Sequence, residues 1–167
     1  PEKTEVSFLN LEQLPSVSVL LSEDERMRLQ GRIDRVDICR EQGNVYVRVI
    51  DYKSGSTRFD LTSVYYGLQL QLAVYLNAAM DMESREGGEV HPAGMFYYHI
   101  EDPMLDYEEE EDTERRMLKE LAFNGLVNAD PEVVKLMDKE LHGSSDILPI
   151  RLKKDGTYTA ASSVAEE

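Results

Sequence analysis

The stretch Gly31-Arg32-Ile33-Asp34-Arg35-Val36-Asp37-Ile38-Cys39-Arg40-Glu41-Gln42-Gly43-Asn44-Val45-Tyr46-Val47-Arg48-Val49-Ile50-Asp51-Tyr52-Lys53-Ser54-Gly55 reads as two strands joined by one tight turn. Gln30 to Ile38 forms the first strand, on which Asp34 shares its parity with Val36 and Ile38. Asn44 to Tyr52 forms the second; it is rich in β-branched and aromatic residues, and Asp51 shares parity with Val45, Val47 and Val49. Glu41-Gln42-Gly43-Asn44 is a Gly-containing turn that closes an antiparallel hairpin. Asp34 and Asp51 are almost equidistant from it, so pairing sets their side chains next to each other.

Two facing carboxylates repel unless a cation lies between them. Mg²⁺ is a hard, oxygen-seeking ion that binds through one or two carboxylates and keeps further positions for water and phosphate oxygens. Lys53 follows Asp51 by two residues, which alternation turns to the same face. An ammonium there suits orientation of an attacking water or stabilisation of developing negative charge. Tyr52 points to the other face and offers its backbone carbonyl as another metal ligand. Taken alone, Asp51 and Lys53 would read as a solvated sheet face. The second aspartate, the apolar surroundings and the Ser54-Gly55-Ser56-Thr57 loop favour a site.

Downstream, Leu61 to Met82 reads as one helix with Asp60 or Thr62 as N-cap and Tyr65, Leu68, Leu72, Tyr75, Leu76 and Ala79 at helical spacing. Gln71 and Tyr75 are four apart and share a face, whereas Gln69 points elsewhere. The plain account is a helix-face glutamine beside a core tyrosine. Next to Asp51 and Lys53, Gln71 suits contact with a phosphate or with the catalytic water.

These three segments, ending in Tyr66-Gly67-Leu68-Gln69-Leu70-Gln71-Leu72 with Tyr75, resemble the RecB-type branch of the PD-(D/E)XK nucleases, and more narrowly the C-terminal nuclease domains of AddB-type helicase-nuclease subunits. The motif match spans about residues 31 to 75. The resemblance implies a restriction-endonuclease-like α/β fold, a central mixed sheet flanked by helices. It implies Asp34 and Asp51 as metal ligands with the Tyr52 carbonyl, Lys53 as the catalytic lysine, and Gln71 and Tyr75 as a Gln-x-x-x-Tyr helix motif. It also implies Mg²⁺ or Mn²⁺ as cofactor, single-stranded DNA as substrate during double-strand break processing and recombinational repair, and an AddA-like partner subunit.

Two departures accompany it. Family members contribute a His or Glu from a helix before these strands, yet His91, His99 and His142 all lie after them, and Glu5, a candidate stand-in, lies in Glu5-Val6-Ser7-Phe8, which reads better as an edge strand. The family's four-cysteine iron-sulfur site cannot be built from Cys39 alone. The expectation is therefore a fragment, 1–167 forming a single nuclease-like domain.

With 167 residues and 41% apolar content the chain can bury one core, and no apolar run approaches membrane-spanning length. No secretory signal is visible and one cysteine excludes an internal disulfide, which fits a cytoplasmic location. The net charge of -15 runs against simple nucleic-acid binding. It is uneven: residues 1–60 carry nine Lys or Arg and eleven Asp or Glu, the remainder nine and twenty-two. Arg32, Arg35 and Arg58 are the cations expected to contact DNA, although Arg32 and Arg35 cannot share one strand face.

The rest of the chain reads as support. Glu83 to Glu89 is expected to be a loop, Ala93 to Ile100 a strand, and Glu101 to Asp112 a solvated acidic loop. Glu114 to Phe123 and Pro131 to Leu141 read as helices, the first ended by Asn124-Gly125 and the second capped by Asp130, with His142 as a cation at its C-terminus. The tail from Ala160 reads as frayed or cut short. Two other function classes stay open: a noncatalytic scaffold holding a partner subunit or guiding DNA, and a metal-independent interaction module using the acidic loop.

Overall fold

The computed structural model describes residues 3–7, 18–20, 22, 25–100, 121–139 and 141–166. The chain divides into two compact units, one of residues 1–51 with 60–95, the other of 52–59 with 96–167.

The first unit is organised by the hairpin of β4 (Arg32–Glu41) and β5 (Asn44–Lys53). Its turn is the two residues Gln42 and Gly43, both with positive φ, 52° and 89°. That is the twist two-residue hairpins favour, and Gly43 adopts it without a steric penalty. Pairing runs antiparallel from Glu41 with Asn44 to Arg35 with Ile50. Val36, Val45, Val47 and Val49 are all buried, so this face is core. β1 (Lys3–Ser7) lies outside β4 at the sheet edge, and β6 (Glu89–His99) lies on the other side of β5, giving the order β1-β4-β5-β6. A small two-stranded sheet joins β2 (Ser18–Leu20) to β3 (Arg26–Arg28).

The expected single helix over Leu61 to Met82 is two helices. α1 (Leu61–Tyr65) is capped by Asp60, whose carboxylate accepts from the Thr62 and Ser63 amides. Gly67 then takes a φ of +76°, a left-handed conformation that ends the helix, and α2 (Gln71–Ser84) starts afresh. The break carries Tyr65 and Leu68 out of the core, to 84% and 78% exposure, whereas Leu72 and Ala79 are buried as their spacing predicts. Glu83, placed in a loop by its sequence, belongs to α2 and is 2% exposed. It accepts from Arg40 of β4 at 2.8 Å, and Glu86 accepts from the same guanidinium at 3.2 Å.

On the alternate face of the hairpin, Asp37 is opposite Arg48 and accepts from both Arg48 and Arg35 at 2.8 Å. Burial pushes the Asp37 carboxyl up, but the two guanidiniums outweigh this and hold it below the usual carboxylate range.

The second unit contains the ends of β5 and β6 together with β7 (Asn124–Asn128), α3 (Pro131–Met137) and β8 (Val164–Ala165). Its core combines Phe96, Val127, Val133, Val134, Leu148 and Ile150, and from Phe96 an aromatic row runs outward through the half-buried Phe123 and Tyr98 to the exposed Tyr52. Asn124-Gly125 opens β7 rather than ending a helix, because β7 is held in extended pairing between β6 and β8. The expected helix over Glu114 to Phe123 lies mostly outside the described residues, as does the acidic run Glu101 to Asp112. Asp130 caps α3 and Pro131 is its first residue, as expected. The helix stops at Met137, not Leu141, so His142 is beyond its last turn. The tail is not frayed: Val164 and Ala165 pair in parallel with Val127 and Asn128.

Two outcomes follow from the ion pairs. Removing Arg40 leaves the buried Glu83 with one guanidinium fewer, and Arg40→Ala should lower unfolding free energy by about 2 kcal/mol in urea denaturation, partly recovered by adding Glu83→Gln. Because the folded Asp37 titrates below its ordinary value of 3.8, its contribution is present above that value and is lost as pH falls through the depressed folded pKa. Asp37→Asn should therefore cost about 1–2 kcal/mol at pH 7, with the deficit shrinking in thermal melts below the ordinary Asp range.

Candidate active site

The β4-β5 register positions the two aspartates. One residue beyond the pair Arg35 and Ile50, Asp34 lies opposite Asp51, both within the first unit. On the other flank, the β1 register sets Glu5 between partners of Arg35 and Ile33, level with Asp34, in the edge strand expected for it. Asp51 is only 4% exposed, although its neighbours on that face are valines. A carboxylate so placed is unfavourable unless donors or a cation face it.

One donor comes from α2. Gln71, its first residue, gives an N–H from Nε2 to Asp51 Oδ1 at 3.0 Å. The same nitrogen is 3.0 Å from the Tyr75 hydroxyl oxygen, one turn along. Gln71 and Tyr75 thus share a face, as their spacing predicts, and that face meets Asp51. Gln69 instead accepts from the Asp60 amide, away from the aspartates. The Gly67 break lets α2 begin at Gln71 itself, so the side chain projects from a helix terminus.

Lys53 ends β5, two residues past Asp51, with Tyr52 between them. Within the second unit, its Nζ is 5.0 Å from the centre of the Tyr97 ring, and its carbonyl accepts from the Ile100 amide at 3.1 Å. The expected DNA contacts differ in setting. Arg32 and Arg58 are exposed. Arg35 is turned to the face opposite Asp34 and is held by Asp37.

The donor set around Asp51 consists of hard oxygens, which suits Mg²⁺ or Mn²⁺ better than a thiophilic ion. Among the described residues no group of three or more His, Cys, Asp and Glu side chains is arranged to hold a metal. Asp34 and Asp51 are two carboxylates that could hold such an ion, within what Mg²⁺ uses when phosphate and water complete its shell. Two features escaped the sequence reading: Tyr97 against Lys53, and the Arg40-Glu83 pair at the far end of α2. Neither has a local signal, since each joins residues more than forty apart in the chain.

The sequence profile of the PD-(D/E)XK nuclease superfamily matches residues 1–160. Among curated proteins, an ATP-dependent helicase/deoxyribonuclease subunit from Lachnoclostridium phytofermentans is 50% identical over 157 residues, covering 86% of this chain and 13% of that protein. Its namesake from Moorella thermoacetica is 44% identical over 169 residues, 99% of this chain and 15% of its own length. The namesake from Thermoanaerobacter pseudethanolicus is 41% identical over 160 residues, 94% and 14%. The chain thus spans about one seventh of the length of the curated relatives it matches. No helix among the described residues is long and apolar enough to cross a membrane. Matched by its profile from the first residue to residue 160, with an α/β architecture and strands of both polarities, the chain belongs to the PD-(D/E)XK nuclease superfamily.

Proposed function

We propose that this chain is the nuclease part of a helicase-nuclease subunit and hydrolyses phosphodiester bonds of single-stranded DNA in a Mg²⁺- or Mn²⁺-dependent reaction. The observation that carries the reading is the buried Asp51, level with Asp34 across the hairpin and met by Gln71 from α2. Asp34, Asp51 and the Tyr52 carbonyl would hold the ion. A divalent ion held there would lower the pKa of bound water and neutralise charge on the scissile phosphate.

The chain's own residues have separable tasks. Asp51 keeps one oxygen on Gln71, which fixes the orientation of the carboxylate. Tyr75 in turn fixes the Gln71 carboxamide, making the pair a relay from helix to strand. The Lys53 ammonium stabilises negative charge as it develops on the phosphate and orients the attacking water. Arg32 and Arg58 meet backbone phosphates. A net charge of -15 keeps affinity for DNA low at physiological salt, so delivery of the strand falls to other parts of the assembly, including an AddA-like partner. The activity belongs to double-strand break processing ahead of recombinational repair.

The test is cleavage of an end-labelled single-stranded oligonucleotide with Mn²⁺ or Mg²⁺. Cleavage should vanish with EDTA and in Asp51→Ala, fall about 10²-fold to 10³-fold in Lys53→Ala, and fall about 10-fold to 100-fold in Gln71→Ala. Calorimetric Mn²⁺ binding should disappear in Asp51→Ala as well. Retained Mn²⁺ binding in that variant, with no cleavage by the wild-type chain, would favour the noncatalytic scaffold.

A further inference from the structure

Lys53 is the last residue of β5, and a lysine at a strand end has a four-carbon stem with many accessible rotamers. Its ammonium nevertheless lies over one ring face, 5.0 Å from the centre of Tyr97. Tyr97 is 3% exposed and sits within β6 beside the fully buried Phe96, so the ring is fixed by its own packing. The backbones are tied at the same point, because the Ile100 amide donates to the Lys53 carbonyl at 3.1 Å. A rigid aromatic face and a rigid strand end therefore bracket a flexible cation.

We propose that Tyr97 is a positioning residue for Lys53: its ring face holds the ammonium in place for phosphate contact. This inference rests on the reading of Lys53 as the catalytic lysine. An aromatic face suits the task better than a carboxylate. It attracts a cation through the negative face of its quadrupole, yet it carries no full charge to cancel the one that phosphate must feel. It also takes none of the three N–H donors in a directional hydrogen bond. The interaction strengthens where water is thin, as it is against a ring this deeply buried. The attraction comes from the ring face and not from the hydroxyl, so phenylalanine should serve as well as tyrosine.

The experiment replaces Tyr97 by Phe and then by 4-fluoro-, 3,5-difluoro- and 3,4,5-trifluorophenylalanine, which keep the shape of the ring while draining charge from its face. Cleavage of a single-stranded oligonucleotide with Mn²⁺ is measured for each variant, with kcat and KM separated. Tyr97→Phe should stay within about twofold of wild type, and kcat should then fall stepwise with fluorine number, reaching about tenfold at the trifluoro ring with KM unchanged. In a Lys53→Ala background the series should be flat. Wild-type and Tyr97→Phe proteins should also show the Lys53 ε-methylene protons shifted upfield in NMR by the ring current, a readout independent of activity. A flat kcat series in the Lys53 protein, while Lys53→Ala still lowers cleavage about 10²-fold to 10³-fold, would overturn the role of Tyr97 and leave the nuclease reading standing. Full activity in Lys53→Ala would remove the reading of Lys53 and the inference with it.

Discussion

The register between β4 and β5 is the constraint on which the first unit depends. It is set by a two-residue turn in which Gln42 and Gly43 both adopt positive φ, and a slip of one residue would exchange the two faces of the hairpin. Gln42 is not a residue that favours this conformation, and holding it there costs on the order of 1 kcal/mol. The pairs Val36 with Val49 and Ile38 with Val47 offset that cost, since a one-residue slip would turn them out of the core. With the valines fixed inward, Asp34 and Asp51 have no choice but to face the same side. The apolar pattern that stabilises the fold is what brings two carboxylates together.

The hairpin's two faces then have different electrostatic roles. Arg35 and Arg48 share the single Asp37 carboxylate on the first. The other face carries α2, and this helix is clipped to the hairpin at both ends: Gln71 to Asp51 and Glu83 to Arg40. The geometry closes. Twelve residues of helix span about 18 Å, and the six residues of β5 from the partner of Arg40 to Asp51 span about 20 Å. A polar clip at the far end thus governs how accurately Gln71 meets Asp51 at the near end. Burial of Glu83 is tolerated because the clip satisfies it, and the same packing presses Gln71 toward a carboxylate that has its own need for donors.

The second unit shows how aromatic packing fixes a strand end. Tyr52, Tyr98, Phe123 and Phe96 form a row beside the terminus of β5, while Tyr97 turns its ring toward Lys53. Successive residues 96, 97 and 98 of one strand therefore serve core and cation alternately, which is the ordinary consequence of a period of two. β7 and β8 close this unit, with the chain's last described residues acting as a parallel strand.

What the sequence by itself determined were the features whose causes lie within a few residues. Alternating valines and a turn of Gln42 and Gly43 suffice for the hairpin and for the opposition of Asp34 and Asp51, and a spacing of four suffices for Gln71 and Tyr75. The cap at Asp130 is equally local, because a short side-chain acceptor two or three residues ahead of exposed amides is enough, while between Asp60 and Thr62 the structure selects Asp60. Tertiary structure decided the rest. The left-handed turn at Gly67 splits what periodicity reads as one helix, and among the described residues it leaves Tyr65 and Leu68, which have the spacing of core residues, exposed. Asn124-Gly125, a good helix terminator by composition, becomes the start of a strand because its neighbours supply hydrogen bonds that no local pattern announces. The pairings of Arg40 with Glu83 and Lys53 with Tyr97 join residues more than forty apart. Partners at that separation are chosen by which strands and helices pack together, a property of the assembled core and not of any one segment.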